Sequence, residues 1–498
     1  MGFASDVETG AGADERQLAA LGYRQQLSRS LGLLSNFSVG FTYLSPIVGV
    51  YTLFAFGLVT AGPAFIWTYP IVLIGQFLVV FTFAEIASQY PIAGGIFQWS
   101  KRLVGPRYGF MSGWMYTLAL LITVAAVAFS ANIYAAPLFG WEANSVTNIL
   151  VAAAVIVGGG ILNMLGIRRL ANLARLGVAV EVAGTVGLAA WLLLTDRNQD
   201  VGVIFQNSGA GAGDYTAAFL AAILAAVWVF YGFEACGDIA EEVHDPGNKV
   251  PRAMMWTLLI GGLTTIFLVL ALILAIPDLG AVIAGENAAP IDAILLANFG
   301  ETGFKIALVM ILFAYVSCTI AIQGAAVRLV YSYARDGMVP FAAALSRVNP
   351  RFHMPPGAVV VAVVVPVLIT LLPSATYTMI INFATIGIYI GFQTVVAAAI
   401  VARRRGWVPS GKYNLGRWGM LVNVLALVYG VSAIAILSYF STAGDDFFTR
   451  WQVPILAAIV FVAGLAWLLI ARPTVKVQEG AIVEGAIVEG AMSEASAG

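Results

Sequence analysis

Apolar residues in this chain come in long uninterrupted runs, with neither the two-residue alternation of a half-buried strand nor the narrow stripe of a soluble amphipathic helix. Runs near 31–60, 64–88, 107–137, 146–165, 171–195, 215–241, 253–276, 303–334, 357–373, 377–401, 418–440 and 452–471 hold few charged side chains. About 20 apolar residues make a helix that crosses a hydrocarbon core of about 30 Å. The pattern therefore predicts an all-α polytopic membrane protein of about twelve transmembrane helices, with 357–373 short enough to need tilt. The chain divides into a tail at 1–30, spans 1–5 within 31–195, spans 6–10 within 215–402, spans 11–12 within 417–472, and a tail at 473–498.

Basic residues set the expected orientation. With the N-terminus inside, 21 of the 25 Lys and Arg residues fall in inward tails and loops, leaving Arg197, Lys305 and Arg450 outside and Arg328 within span 8. Such a positive-inside bias places both termini in the cytoplasm and supports the span count. The tail containing "DERQLAALGYRQQLSRS" lacks the apolar core of a signal peptide, and "EGAIVEGAIVEGAMSEASAG" reads as a disordered cytoplasmic end.

Composition narrows the functions. Of 498 residues 60% are hydrophobic and only 10% charged, at a mean hydropathy of +0.90, too little charge for a soluble surface. A net charge of −1 gives no reason to expect a nucleic-acid partner. Cys236 and Cys318 lie in different spans, and His244 and His353 lie in separate loops, so neither a disulfide framework nor a metal or other cofactor is expected. "GAGAG" at 209–213 follows no strand, and no serine has a histidine partner, so nucleotide-binding and hydrolase chemistry are unsupported. Twenty arginines against five lysines, with abundant alanine, hint at a GC-rich bacterial source.

Two spans carry interruptions. Span 1, "LGLLSNFSVGFTYLSPIVGVYTLFAFGLVT", would reach roughly 45 Å as one helix, and it holds Gly40, Pro46 and Gly49 near its middle. Span 6 is interrupted at Gly232 and Gly237. Such residues free backbone groups that must find partners away from lipid. Interruptions five spans apart point to a transporter of inverted repeats around a central site, the alternative being two kinked helices. Glu234 sits in the second interruption. It reads either as a protonated carboxyl bonded to loosened backbone or as the counter-charge for an ammonium group.

"FTYLSPIVGVY", "FAEIASQYPIAGGIFQWSKRLVGPRYGFMSGWMY" and "YGFEACGDIAEEVHDPGNKVPRAM" resemble the amino acid–polyamine–organocation transporters, most closely the amino acid/choline branch of GABA, choline and polyamine permeases. "LGYRQQLSRSLGLLSNFS" fits the same branch, and the likeness runs from about Leu21 to Pro473. The resemblance implies a leucine-transporter-like fold: spans 1–5 and 6–10 as inverted repeats, and spans 11–12 appended. It also implies secondary active transport by alternating access, with no enzymatic step.

By that resemblance Ser45, Pro46, Ile47, Val48 and Gly49 line the substrate site together with Tyr231, Gly232, Phe233, Glu234 and Ala235. The first segment departs from the family's run of small residues. Pro46 has no N–H to offer, and Ile47 and Val48 crowd the approach, which disfavours capture of a carboxylate. Tyr231 and Phe233 are the aromatic candidates for a cation–π contact worth about 2 kcal/mol, with Phe41, Tyr43 and Trp228 nearby. Tyr116 and Thr123 on span 3, and Asn382 and Thr385 on span 10, enter on depth alone.

Glu181 on span 5 stands where some proton-coupled relatives carry a lysine, so it is the candidate for ion or proton coupling, with Ser317 and Thr319 of span 8. The plainer reading is a protonated glutamate bonding a neighbouring helix. Glu85, Asp238, Glu241 and Glu242 lie towards the cytoplasmic end, where Lys101, Arg102 or Arg328 could pair with them in an inner gate, or merely anchor the topology. The expected function is import of an amino acid or small amine across the plasma (inner) membrane, coupled to protons or sodium. An exchanger, or a non-transporting sensor of the same fold, stands as the alternative.

Overall fold

The computed structural model describes residues 12–211, 213–373, 377–440 and 447–473. The repeat at the C-terminus and the first eleven residues lie outside that range. Among the described residues, ten helices are long and apolar enough to cross a bilayer, and two shorter apolar ones, Tyr215–Val229 and Pro356–Thr370, stand at the sixth and ninth expected places. Spans 2 to 5 are Thr68–Gln89, Pro106–Ser130, Ser145–Met164 and Ile167–Thr195. Spans 7 to 12 are Pro246–Ala275, Pro290–Arg335, Pro356–Thr370, Tyr377–Arg404, Gly419–Phe440 and Phe447–Ala471. Among the described residues no strand forms; Leu31 and Val243 make an isolated parallel bridge.

Span 7 starts earlier than its apolar run does, at Pro246 instead of 253, because backbone hydrogen bonding carries the helix on into polar loop residues. In span 8 a separate short helix over 290–299 comes first; Gly300 is non-helical at φ 60°, ψ −174°, and the span itself follows it, close to the expected 303.

Span 1 is two helices, 1a (Leu33–Leu44) and 1b (Pro46–Ala61), separated by Ser45 alone at φ 40°, ψ 91°. Proline at the first position of 1b cannot continue 1a but is pre-set to start a new helix. Span 6 divides into 6a (Tyr215–Val229) and a single turn, 6b (Ala235–Asp238), with Phe230–Glu234 non-helical between them. The other glycines singled out from the sequence do not break anything. Gly40 and Gly49 are helical, and a Cβ on them would meet Cys236 Sγ at 2.6 Å and Val229 at 2.7 Å. Gly237 lies inside 6b, where a Cβ would fall 2.5 Å from the Trp99 ring. These three are close-packing positions between helices.

Gly232 is different. Its φ of 115° is closed to L side chains, and a Cβ there would sit 2.6 Å from the Leu44 nitrogen, so the two breaks lie backbone against backbone. Gly232→Ala is expected to abolish the folded protein, because strain of about 1–3 kcal/mol adds to a clash that only backbone movement relieves. Yield and thermal unfolding in detergent check this, with Gly187→Ala, whose Cβ meets nothing within 4 Å, as the neutral control.

Around the breaks, helices five spans apart pack together: 1b on 6a, span 2 on span 7, span 3 on span 8 and span 4 on span 9. Span 10 lies along span 3, and 1a lies against span 5. Thr42 on 1a donates to the Ala174 carbonyl of span 5 at 3.0 Å. Spans 11 and 12 sit outside, packed mainly on spans 2, 3 and 10, with Leu421, Val428, Phe461 and Leu469 exposed as a lipid-facing belt.

Candidate functional site

At the start of 1b, Ser45 and Pro46 leave one backbone donor unspent. Pro46 has no N–H, the Val48 N–H is accepted by Ser45 Oγ at 3.3 Å, and the Gly49 N–H by the Ser45 carbonyl at 2.9 Å. Only the Ile47 N–H remains. Facing it, beside the Ser45 hydroxyl, is the carboxyl of Glu181 from span 5. Glu181 is fully buried, and neither of its oxygens reaches hydrogen-bond geometry with any described residue. Directly after it, span 5 widens into a π-turn over Ala183–Gly187, where Thr185 Oγ1 donates to the Glu181 carbonyl at 2.6 Å. Cys318 of span 8 donates to the Tyr43 carbonyl at 3.2 Å, at the C-terminal end of 1a.

In the second break the chain folds onto its own acid. Glu234 Oε2 accepts the Gly232 N–H at 2.7 Å and Oε1 accepts the Tyr116 hydroxyl at 3.2 Å. One turn further, Asp238 Oδ2 lies 3.4 Å from the same hydroxyl while its Oδ1 has no partner. A phenol has one proton to donate, so Tyr116 cannot satisfy both carboxyls at once.

Tyr43, Val48, Thr123, Trp228, Tyr231 and Cys318 line a narrow cavity between the breaks, with space for about one water molecule. Tyr231 stands edge-on to Tyr43 and Trp228, at ring separations of 6.0 and 5.8 Å. Its hydroxyl lies beside those of Thr123 and Thr385 without a formed hydrogen bond. Phe233 turns the other way and packs on Phe83 and Phe392. There it supports the break from behind, outside the lining of the cavity between the breaks.

Below this level the protein is closed by ion pairs. Glu242 and Arg328 join through two bonds, the shorter 2.8 Å, and Glu241 and Arg335 through two more, the shorter 2.7 Å. Asp336 takes Lys101 and the Tyr23 hydroxyl, and the Arg335 guanidinium lies 4.0 Å over the Tyr23 ring. The segment before span 1 is strapped to the end of span 6, since the Ser30 and Leu31 N–H groups both donate to the Glu242 carbonyl at 2.9 Å. Tyr23 had no role in the sequence reading; its ring and hydroxyl gain one only from three remote segments meeting there.

The structure redistributes the expected gate. Glu241, Glu242 and Arg328 do pair across it. Arg102 instead donates to the Leu21 carbonyl, and Glu85 pairs with Arg403 and the Leu415 N–H, bracing span 2 to span 10. Asp238 belongs with Glu234 and Tyr116, one turn above the gate. Of the span 8 hydroxyls, Ser317 shares its proton between the Phe313 and Ala314 carbonyls and Thr319 donates to the Tyr315 carbonyl, which leaves their oxygen lone pairs open to a cation. Ala235 is buried at the first position of 6b. Asn382 is buried with both amide atoms unpartnered. Val127 and Ile322, absent from the sequence reading, complete the cavity wall; nothing distinguishes them in sequence from other apolar span residues.

The charge distribution follows a rule. Among the described residues seven carboxylates are buried: Glu85, Glu181, Glu234, Asp238, Glu241, Glu242 and Asp336. Four of them, Glu85, Glu241, Glu242 and Asp336, hold an arginine or lysine. The three at the breaks, Glu181, Glu234 and Asp238, form no ion pair. A buried carboxylate without a cation either binds a proton or awaits a positive charge.

Among the described residues, ten long apolar helices and two shorter ones, with two facing helix breaks and a small central cavity beside unpaired carboxyls, make the frame of a multi-pass membrane permease. A family model described as amino acid permease matches residues 31–472. The chain belongs to that family. It is 26% identical over 495 residues to the "Amino-acid permease BAT1" of Arabidopsis thaliana, covering 92% of this chain and 94% of that protein. It is also 26% identical to the "Thiamine transporter thi9" of Schizosaccharomyces pombe, over 87% of this chain and 82% of that one. The "Choline transporter" of Saccharomyces cerevisiae is 25% identical, over 86% and 78%. These relatives are from a plant and two yeasts, so they lend no support to the bacterial source suggested by the arginine-to-lysine ratio.

Proposed function

We propose that this permease is a secondary active importer of a small organic cation, an amine of the choline or polyamine class, coupled to protons and working by alternating access. The observation that carries the reading is the contrast between carboxylates. Those at the closed end all hold an arginine or lysine, whereas Glu181, Glu234 and Asp238 at the breaks hold none. Glu234 is the counter-charge for the ammonium group, and Tyr231, Tyr43 and Trp228 present rings to it. Glu181, away from that pair, is assigned the coupling proton. The relatives named for choline and thiamine transport support a cationic substrate.

The repeats 31–195 and 215–402 would rock about the breaks, and the basic end would face the cytoplasm of the plasma membrane, by the positive-inside bias. A second reading, a zwitterionic amino acid, is favoured by the likeness to an amino-acid permease. Uptake into liposomes under an inward proton gradient decides between them. Accumulation of choline, ethanolamine, putrescine or spermidine, abolished by a protonophore, is the expected result. Accumulation confined to α-amino acids, or uptake of amines that ignores the proton gradient and follows sodium, overturns it.

A further inference from the structure

We infer that Glu181 supplies, from within the protein, the carboxylate that the N-terminus of span 1b would otherwise take from a substrate, and thereby selects amines that carry no carboxylate group. The inference rests on the amine reading above and concerns a different residue. A helix N-terminus offers unpaired N–H groups and the positive end of the helix dipole to an anion. Span 1b, 16 residues long, has that end at mid-membrane, facing the second break. Its donors are few. Pro46 gives nothing, Val48 and Gly49 are bonded to Ser45, and what remains is the Ile47 N–H and the Ser45 hydroxyl proton.

Both remaining donors face the same group, the Glu181 carboxyl. That carboxyl is fully buried, and neither of its oxygens makes a formed hydrogen bond with a described residue, these two donors included. The helix N-terminus and the acid are each other's complement. Holding Glu181 there fills the place in front of the donors that a substrate carboxylate would take, and whenever the acid is ionised it sets like charge against one. An incoming carboxylate finds the approach to the Ile47 N–H filled by another acid, whereas an amine at Glu234 loses nothing. Span 5 keeps the acid in place, since 1a is tied to it by Thr42 and a Cβ on Gly177 would meet Thr42 Oγ1 at 3.1 Å.

The test uses full-length protein in detergent, with no gradient, so that coupling does not enter. Binding is measured for two pairs matched except for a carboxylate: choline against glycine betaine, and putrescine against 4-aminobutyrate. Wild-type protein is expected to bind the carboxylate-free member of at least one pair about tenfold or more tightly, the scale of a hydrogen bond to a charged group. Glu181→Ala clears the approach to the Ile47 N–H and is expected to lower that preference about tenfold by strengthening the carboxylated member. Glu181→Gln keeps a side chain of the same size before that N–H and should gain much less. Glu181→Ser replaces the alanine variant if that one fails to fold.

An unchanged preference in Glu181→Ala, or in Glu181→Ser where it takes that variant's place, overturns the inference, as does equal or tighter wild-type binding of the carboxylated members. Wild-type protein that binds no member of either pair overturns the amine reading itself, and the inference with it.

Discussion

Glu234→Gln is expected to weaken binding of an amine about 30- to 150-fold while leaving the melting temperature close to that of the wild type. A charged hydrogen-bonded contact contributes about 1.5–3 kcal/mol, and the upper part of that range corresponds to about that factor. The fold should tolerate the change for a local reason. Glutamine's oxygen still accepts the Gly232 N–H, and its amide donates to the Tyr116 oxygen that now donates to Oε1. Only the charge is removed. Radiolabelled uptake into liposomes together with thermal unfolding checks both halves. Near-normal affinity would remove Glu234 from its assigned role, and a collapse in stability would make it a structural acid of the break.

Arg328→Met is the second large effect, and its consequence is the opposite: stability falls and the closed end loosens. Arg328 and Glu242 are both buried, joined by two hydrogen bonds, and Arg328 also donates to the Gly324 carbonyl at 3.1 Å. Removing one partner of such a pair costs about 3–5 kcal/mol, because the other charge is left buried and alone. The double variant Arg328→Met/Glu242→Gln leaves no stranded charge and should recover more than half of the loss. With Cys318 replaced by serine, the buried native thiol of Cys236 in 6b should react faster with a thiol-reactive probe in the single variant than in the double. Equal melting temperatures for single variant and wild type would mean that the pair contributes nothing to closure.

How much could be read beforehand follows from which forces are local. Lipid acts on each span separately, so the runs of apolar residues suffice to place twelve spans without any knowledge of neighbours, and the arginine and lysine loops give an expected orientation. Proline acts on its own backbone, so the break at Pro46 was legible to within one residue of Ser45, where it falls. Glycine is ambiguous. The sequence shows the same φ/ψ freedom at Gly40, Gly49, Gly232 and Gly237 alike, and only the neighbours tell a positive-φ break at Gly232 from three positions where another side chain lies against the Cα.

The same division holds for the charges. That Glu234 and Glu181 are costly in a membrane is a property of each residue and its span, and the sequence alone is enough to single them out. Which carboxylate stays without a cation is a property of pairs. Arg328 stands 86 positions from Glu242 and Arg335 stands 94 from Glu241, so no spacing rule joins them, while Asp238, seemingly one of the gate acids, ends beside Glu234 on the Tyr116 hydroxyl. The sequence by itself determined the class of the protein, its spans and the place of the first break, because hydrophobic transfer and proline geometry need no partner. The tertiary structure alone decided that Glu181 faces the Ile47 amide and that three carboxylates at the breaks form no ion pair, because electrostatic satisfaction depends on what the fold brings within a few ångströms.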